Sequence, residues 1–302
     1  ESGAALERAV TLAKKNQALL TVVDVIDELP SYVRTLTTSK PPAELQKQVI
    51  EKRSSYLEQF IASIRQEVAQ VSAKVLCGTP FLEIIREVLR NQRDLVMMTT
   101  EGNGGLKEML FGSTTMHLMR KCPCPVWVMK RTHRKQYTRI LAAVDLESFD
   151  ERRNSLNTKI MELSTSLARL EQSELHIIHA WTLYGESTLR RGCVRISRSK
   201  VDKLVRDTRN AHRGWLDRLL QKHDFRDLKH QVHLLKGKAG KLIPELAGKK
   251  RVEIIIMGTV CRTGVPGFLI GNTAEEVLRQ VDCSVLTIKP DGFATPIRLD
   301  EQ

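Results

Sequence analysis

Residues 258–273 read GTVCRTGVPGFLIGNT, and residues 99–114 read TTEGNGGLKEMLFGST. Each stretch follows an apolar run and leads into a helical pattern, so one glycine-punctuated loop occurs twice. Gly112 and Gly271 differ by 159 positions, and so do Gly105 and Gly264. Gly78 and Gly237, Arg120 and Arg279, Cys124 and Cys283, and Lys130 and Lys289 keep that spacing without a gap. A constant offset over about fifty residues marks a duplicated unit. Two units in 302 residues fit ordinary domain sizes, and each is long enough to bury its own core. The division expected is 1–133 and 134–302, with RTHRKQYT (131–138) as the linker.

The second unit shows the plan in full. RILAAVD ends in Asp145, and a helical pattern follows over roughly 152–169. LHIIHAW (175–181), a long basic helix, HQVHLL (230–235) and a helix opening near Gly240 come next. EIIIMGT (253–259), the loop, a helix from about Thr273 and SVLTIK (284–289) close the unit. Strands alternate with helices, and several strands are apolar throughout. That pattern describes a parallel sheet covered by helices on both faces. The first unit repeats it from a helix at AALERAVTLAKKN through LLTVVDVI, a helix over about 42–69, AKVLCG, a helix from about Phe81, DLVMMT and PVWVMK. It has no counterpart of the strand ending at Asp145, so the reading expects that strand to lie before Glu1.

Composition narrows the class. No stretch of about eighteen apolar residues offers a membrane span, and no signal peptide is legible, so a cytoplasmic chain is expected. The six cysteines form neither a CxxC pair nor a disulfide framework. Cys122 and Cys124 in KCPCPV read as a turn into a strand, with metal or redox chemistry as the other reading. Net charge is +13, and residues 190–213 hold nine Lys/Arg against two Asp. That helix is either a solvated face or a surface for a polyanion such as nucleic acid. It lacks interleaved aromatics on which bases could stack.

The loop itself has two physical readings. It leaves the carboxyl end of a parallel strand, where ligands of such sheets bind. Glycine lets backbone approach a ligand closely, and the following helix start presents unpaired N–H groups suited to phosphate. Asn272 and Thr273, or Ser113 and Thr114, can add donors; in the other reading they only cap the helices. There is no GxxxxGK[ST], so no lysine is set for the β/γ-phosphates, and no GxGxxG opens a first βα turn.

An apolar strand, then G-x2-G-x9-G-[S/T] and a helix, resembles the ATP-binding signature of the universal stress protein family. VLRQVDCSVLTIK and LMRKCPCPVWVMK resemble that family's closing segment, and the duplication resembles its tandem members. The resemblance implies an α/β fold of two tandem domains, each a five-stranded parallel sheet in the order 3-2-1-4-5. It implies an adenine nucleotide, ATP, with Mg²⁺ beside the triphosphate as a further expectation. Gly258, Gly271, Asn272 and Thr273 match the motif in the second half, with Thr259 and Gly264 on the same loop. Gly102, Gly112, Ser113 and Thr114 match in the first half, with Gly105 on that loop. Cys261 replaces the middle glycine in one copy and Thr99 the first glycine in the other. Asp145 matches an aspartate near base and ribose and is the residue expected beside Mg²⁺; Ala180 and Val25 match a position lining the base pocket.

No acid/base pair or activated nucleophile is evident, and neither GxSxG nor HExxH occurs. The expectation is a stress-response protein, with roles such as resistance to DNA damage, that senses nucleotide or binds protein partners and hydrolyses ATP at most slowly. The alternative is an interaction module with degenerate loops that contacts an anion through the basic helix. His176 and His179, like His230 and His233, lie three apart on a strand and so face opposite ways. Lys130 and Lys289 close the last strands and are expected to be solvated. The closing strands are sheet edges that need cover, so 125–130 and 284–289 are expected to meet across a pseudo-two-fold, as in a homodimer.

Overall fold

The computed structural model describes residues 3–29, 41–100, 111–130, 136–146, 151–191, 196–259 and 271–299. The first half comprises α1 (Gly3–Asn16), β1 (Leu20–Ile26), α2 (Pro42–Ile61), a 3-10 turn (Ile64–Gln66), β2 (Val71–Cys77), α3 (Pro80–Asn91), β3 (Val96–Thr99), α4 (Ser113–Lys121) and β4 (Val126–Met129). The second comprises β5 (Arg139–Val144), α5 (Glu151–Glu171), β6 (Glu174–Trp181), α6 (Glu186–Arg190), α7 (Arg198–Leu220), β7 (His230–Lys236), α8 (Ala239–Lys250), β8 (Ile254–Gly258), α9 (Asn272–Gln280) and β9 (Ser284–Ile288).

The offset of 159 survives as backbone geometry. Gly78 has φ +131° and Gly237 φ +145°, a region closed to most side chains. Each N–H donates to the end of the neighbouring parallel strand, to Ile26 O of β1 at 2.9 Å and to Trp181 O of β6 at 2.8 Å. Helices α3 and α8 then open two residues later and stop at left-handed Gln92 and Arg251, again 159 apart. The α2 region departs from expectation: the α-helix ends at Ile61, and the 3-10 turn brings Ile64 and Val68 against Val10 and Ala13 of α1.

In the second half the strands lie in the order β7-β6-β5-β8-β9, all parallel, which is 3-2-1-4-5 counted within the unit. Ile254 to Met257 and Ser284 to Ile288 are buried, as strands covered on both faces require. The first half shows the outer pairs of the same order. Strands β1 and β2 form a separate parallel pair, and β3 and β4 form another. Among the described residues no strand lies between β1 and β3. Helix α1 spans the two pairs: Val10 and Ala13 pack toward β1 and β2, and Ala5 packs with Trp127 and Met129.

The two closing strands meet as the edge argument expects. β4 runs antiparallel to β9, with Val126 opposite Thr287, Trp127 opposite Leu286 and Val128 opposite Val285. This joins both halves into one seven-stranded sheet, β3-β4-β9-β8-β5-β6-β7. Side chains alternate across it. Val126, Val128 and Val285 face a core with α4, α8 and α9, while Trp127, Leu286 and Ile288 face a core with α5. Both cores draw residues from both halves, so removing a large side chain such as Ile255 costs about 2–5 kcal/mol and weakens the halves together. Tyr137, at the end of the expected linker, is 4% exposed and is therefore core rather than linker; residues 131–135 lie outside the described residues.

Candidate functional site

Strand β5 pairs with β6 on one edge and β8 on the other, so the chain winds outward from it in both directions. A crevice opens at the carboxyl ends of strands where the winding reverses. Here that place lies between the ends of β5 and β8, and the second-half residues gather around it. Asp145 follows β5 and is exposed. Its backbone is held on both sides by buried Asn157 of α5: Asp145 N–H donates to Asn157 Oδ1 at 2.9 Å, and Asn157 Nδ2 donates to Asp145 O at 2.8 Å. Ala180, near the end of β6, is half-buried.

Gly258 ends β8, and a Cβ there would stand 2.8 Å from Leu156 Cδ2, so this glycine is also what lets α5 lie close to the strand. The mouth of the loop is closed, because Gly271 N–H donates to Thr259 O at 2.9 Å. Gly271 occupies the N-cap of α9 with φ −61° and ψ 140°, and as a glycine it offers no capping side chain. Asn272 and Thr273 are not caps; they stand in the first turn and are exposed. The uncapped first turn, next to an exposed carboxylate fixed through its backbone, can receive an anion at one end and a polar group such as a hydroxyl at the other. These features fit a phosphorylated ligand.

The first-half residues are not gathered in the same way. Val25 lies in the separate two-stranded sheet, whereas Gly112, Ser113 and Thr114 open α4 beside β4. Gly112 is the N-cap there, with open space where a Cβ would go. Gly102, Gly105 and Gly264 lie outside the described residues. Among those described, no cluster of three or more His, Cys, Asp or Glu side chains offers a metal site.

The lysines closing β4 and β9 overturn an expectation. Lys130 is 7% and Lys289 6% exposed, so neither is solvated. The reason is the seam. Met119 O on α4 would ordinarily accept from the residue four positions on, but that is Pro123, which has no N–H. The second half supplies the donors instead: Lys289 Nζ reaches Met119 O at 2.5 Å, and Thr259 Oγ1 donates to it at 3.2 Å. Lys289 Nζ also bonds the Thr259 hydroxyl. Burial pulls the Lys289 amine down to about 7, opposed by the nearby Cys122 sulfur. Thr259, which lies on the loop assigned to nucleotide, thus has its hydroxyl committed to the seam.

Histidine pairing across elements was not read from the sequence. His176 and His179 do face opposite sides of β6, but each meets a histidine from elsewhere. His176 Nδ1 lies 3.0 Å from His233 Nε2, and His179 Nε2 lies 2.8 Å from His212 Nδ1 on α7. His179 Nδ1 faces Val144 O at 3.3 Å, one residue before Asp145. Burial lowers His176 to about 4. The basic face of α7 is exposed at Arg198, Lys200, Lys203, Arg206 and Arg209.

A doubly wound α/β unit, duplicated and joined edge to edge, with a glycine loop at its switch point, defines the class of protein. The universal stress protein family model matches residues 1–130 and 136–289, and the chain belongs to that family as a tandem member. It is 30% identical over 306 aligned positions to universal stress protein E of Escherichia coli K12, covering 99% of this chain and 93% of that protein. It is 29% identical to the universal stress protein E homolog of Haemophilus influenzae, covering 95% and 93%. Among solved structures it is similar to PA1789 of Pseudomonas aeruginosa, described as functionally unknown, with TM-score 0.66, 26% identity and coverage of 93% and 96%. A universal stress protein of Archaeoglobus fulgidus shares the fold, with TM-score 0.59 at 18% identity and coverage of 95% and 94%. Among the described residues, no helix is long and apolar enough to cross a membrane.

Proposed function

We propose that this stress-response protein binds one adenine nucleotide, ATP, at the carboxyl ends of β5, β6 and β8, and acts in the cytoplasm by sensing it or by engaging a protein partner. The observation that carries the reading is the convergence of Asp145 and the uncapped first turn of α9 on one crevice. Asp145 binds the ribose, Ala180 lines the base, and Gly271, Asn272 and Thr273 receive the phosphates through backbone and side-chain donors. Mg²⁺ beside the phosphates would take oxygen ligands, and Asp145 is the carboxylate placed for it. The chemistry is binding rather than turnover. Lys289 is the described lysine that reaches this loop, and its amine is committed to Met119 O and the Thr259 hydroxyl; with no general base set at the crevice among the described residues, hydrolysis is slow. Resistance to DNA damage is the physiological role the family resemblance suggests.

Native mass spectrometry during an ATP titration tests this. The expected result is one nucleotide per chain, lost in Gly271→Val and retained in Gly112→Val. Asp145→Ala should weaken binding about tenfold, the effect of losing one hydrogen bond to a charged group. Two nucleotides per chain, or none at millimolar ATP, would overturn the assignment.

A further inference from the structure

The motif the nucleotide reading leaves unused is CPCP at 122–125. Cys122 and Cys124 are 0% and 8% exposed, and their sulfurs lie 3.5 Å apart. A disulfide needs about 2 Å, so bond formation must bring the two sulfurs about 1.5 Å closer. Prolines at 123 and 125 fix the backbone that holds the pair. The duplication supplies an internal control. The positions equivalent to 122, 123 and 124 are Val281, Asp282 and Cys283. Val281 is 4% exposed, so the packing that Cys122 provides in one half is provided by an aliphatic side chain in the other. A thiol at 122 is not what the fold requires. Cys283 remains as a lone buried thiol of matched environment, pushed up to about 12 by burial.

We propose that Cys122 and Cys124 form a peroxide-reactive dithiol, oxidised to an intrachain disulfide at the seam between the halves. Cys122 is the attacking sulfur. Its thiolate is favoured by a hydrogen bond from the Cys124 thiol, opposed by burial, and supported by the Cys124 backbone N–H and by the charge of Lys289. Cys124 is held protonated, as the resolving thiol must be before attack. A cleft of about 560 Å³ reaches the prolines of the motif, Pro123 and Pro125, together with Lys289 and Phe293, while both sulfurs lie behind it, so a small neutral peroxide reaches them only by local opening of this turn. In the first step the Cys122 sulfur bonds to one peroxide oxygen, the O–O bond breaks, and the departing hydroxide takes a proton to become water. In the second the Cys124 sulfur attacks that sulfenic sulfur, the S–S bond forms, the S–O bond breaks, and a second water leaves with the Cys124 proton. Two thiols give two electrons, and one peroxide is reduced to two waters.

The test is hydrogen peroxide treatment of the full chain, quenching with a thiol-alkylating reagent and tryptic mapping. Cleavage after Lys121 and Lys130 isolates both thiols in peptide 122–130, free of other cysteines. The expected result is loss of both alkylation sites and of two hydrogens in that peptide, at least about tenfold faster than Cys283 loses its label, since reactivity follows thiolate fraction. Disulfide that does not form, or forms at the pace of Cys283, overturns the proposal. Cys122→Val copies the other half and should leave the urea midpoint unchanged. Cys124 in that variant should react no faster than Cys283, and wild-type speed there would also overturn it.

Discussion

The buried amine of Lys289 makes stability depend on pH in a defined direction. In the unfolded chain it binds its proton with a value of 10.5, and in the folded chain with a value of about 7. Between these the unfolded state holds more protons, so stability rises with pH through that window. Each unit of difference is worth about 1.4 kcal/mol, and integrating from pH 6 to pH 9 gives a gain of about 2–3 kcal/mol from this one group. Lys289→Met should remove that gain while leaving Met119 O a single donor, Thr259. The assay is urea unfolding of both proteins at pH 6 and pH 9, because the slope with denaturant reports the surface exposed and the midpoint the stability. The stability difference, wild type minus variant, should increase by about 2–3 kcal/mol on going to pH 9. Repeating the pair with Cys122→Val in both removes the thiol that couples to the amine. An identical difference at both pH values would show that the amine keeps its ordinary proton affinity, and the account of the seam would fail.

Arg8→Ala should cost about 3–5 kcal/mol in urea unfolding, since it leaves buried Glu171 without the guanidinium that pairs with it and that stacks 4.0 Å from the Tyr137 ring. A loss below about 1 kcal/mol would mean that α1 is not docked on the second half. His176 titrates at about 4 when folded against 6.5 when unfolded, so stability should fall as the pH drops from 6.5 toward 4. His176→Gln should flatten that fall by about 2 kcal/mol, read from urea midpoints at pH 4.5 and 7, and an unchanged profile would refute the burial argument. If the exposed arginines of α7 serve a polyanion, Arg198→Glu with Arg206→Glu should abolish salt-sensitive retention on nucleic acid; unchanged retention would leave that face as solvated surface.

Much of the architecture was written in local sequence. The offset of 159 between glycines, the apolar runs at 254–257 and 284–288, and the loops after them specify a repeated parallel unit because strand periodicity and positive-φ positions are local properties. Their unpaired closing strands even announced that they must meet. The candidate site was legible as residue types, Asp145 and the loop glycines, but not as a place. Which residues converge depends on strand order, and only the reversal at β5 sets Asp145 beside Gly258. The fate of the ionisable groups was not legible at all. Lys289 reads as a solvated strand end, yet Pro123 leaves Met119 O without its helical partner, and that carbonyl, 170 positions before Lys289, takes the amine instead. Val25 and Gly112 match one motif, yet Val25 lies in the separate β1–β2 sheet and Gly112 caps α4, beside the seven-stranded sheet. Burial, proton affinity and the pairing of His179 with His212 are properties of surroundings assembled from distant segments, and those exist only once the chain has folded.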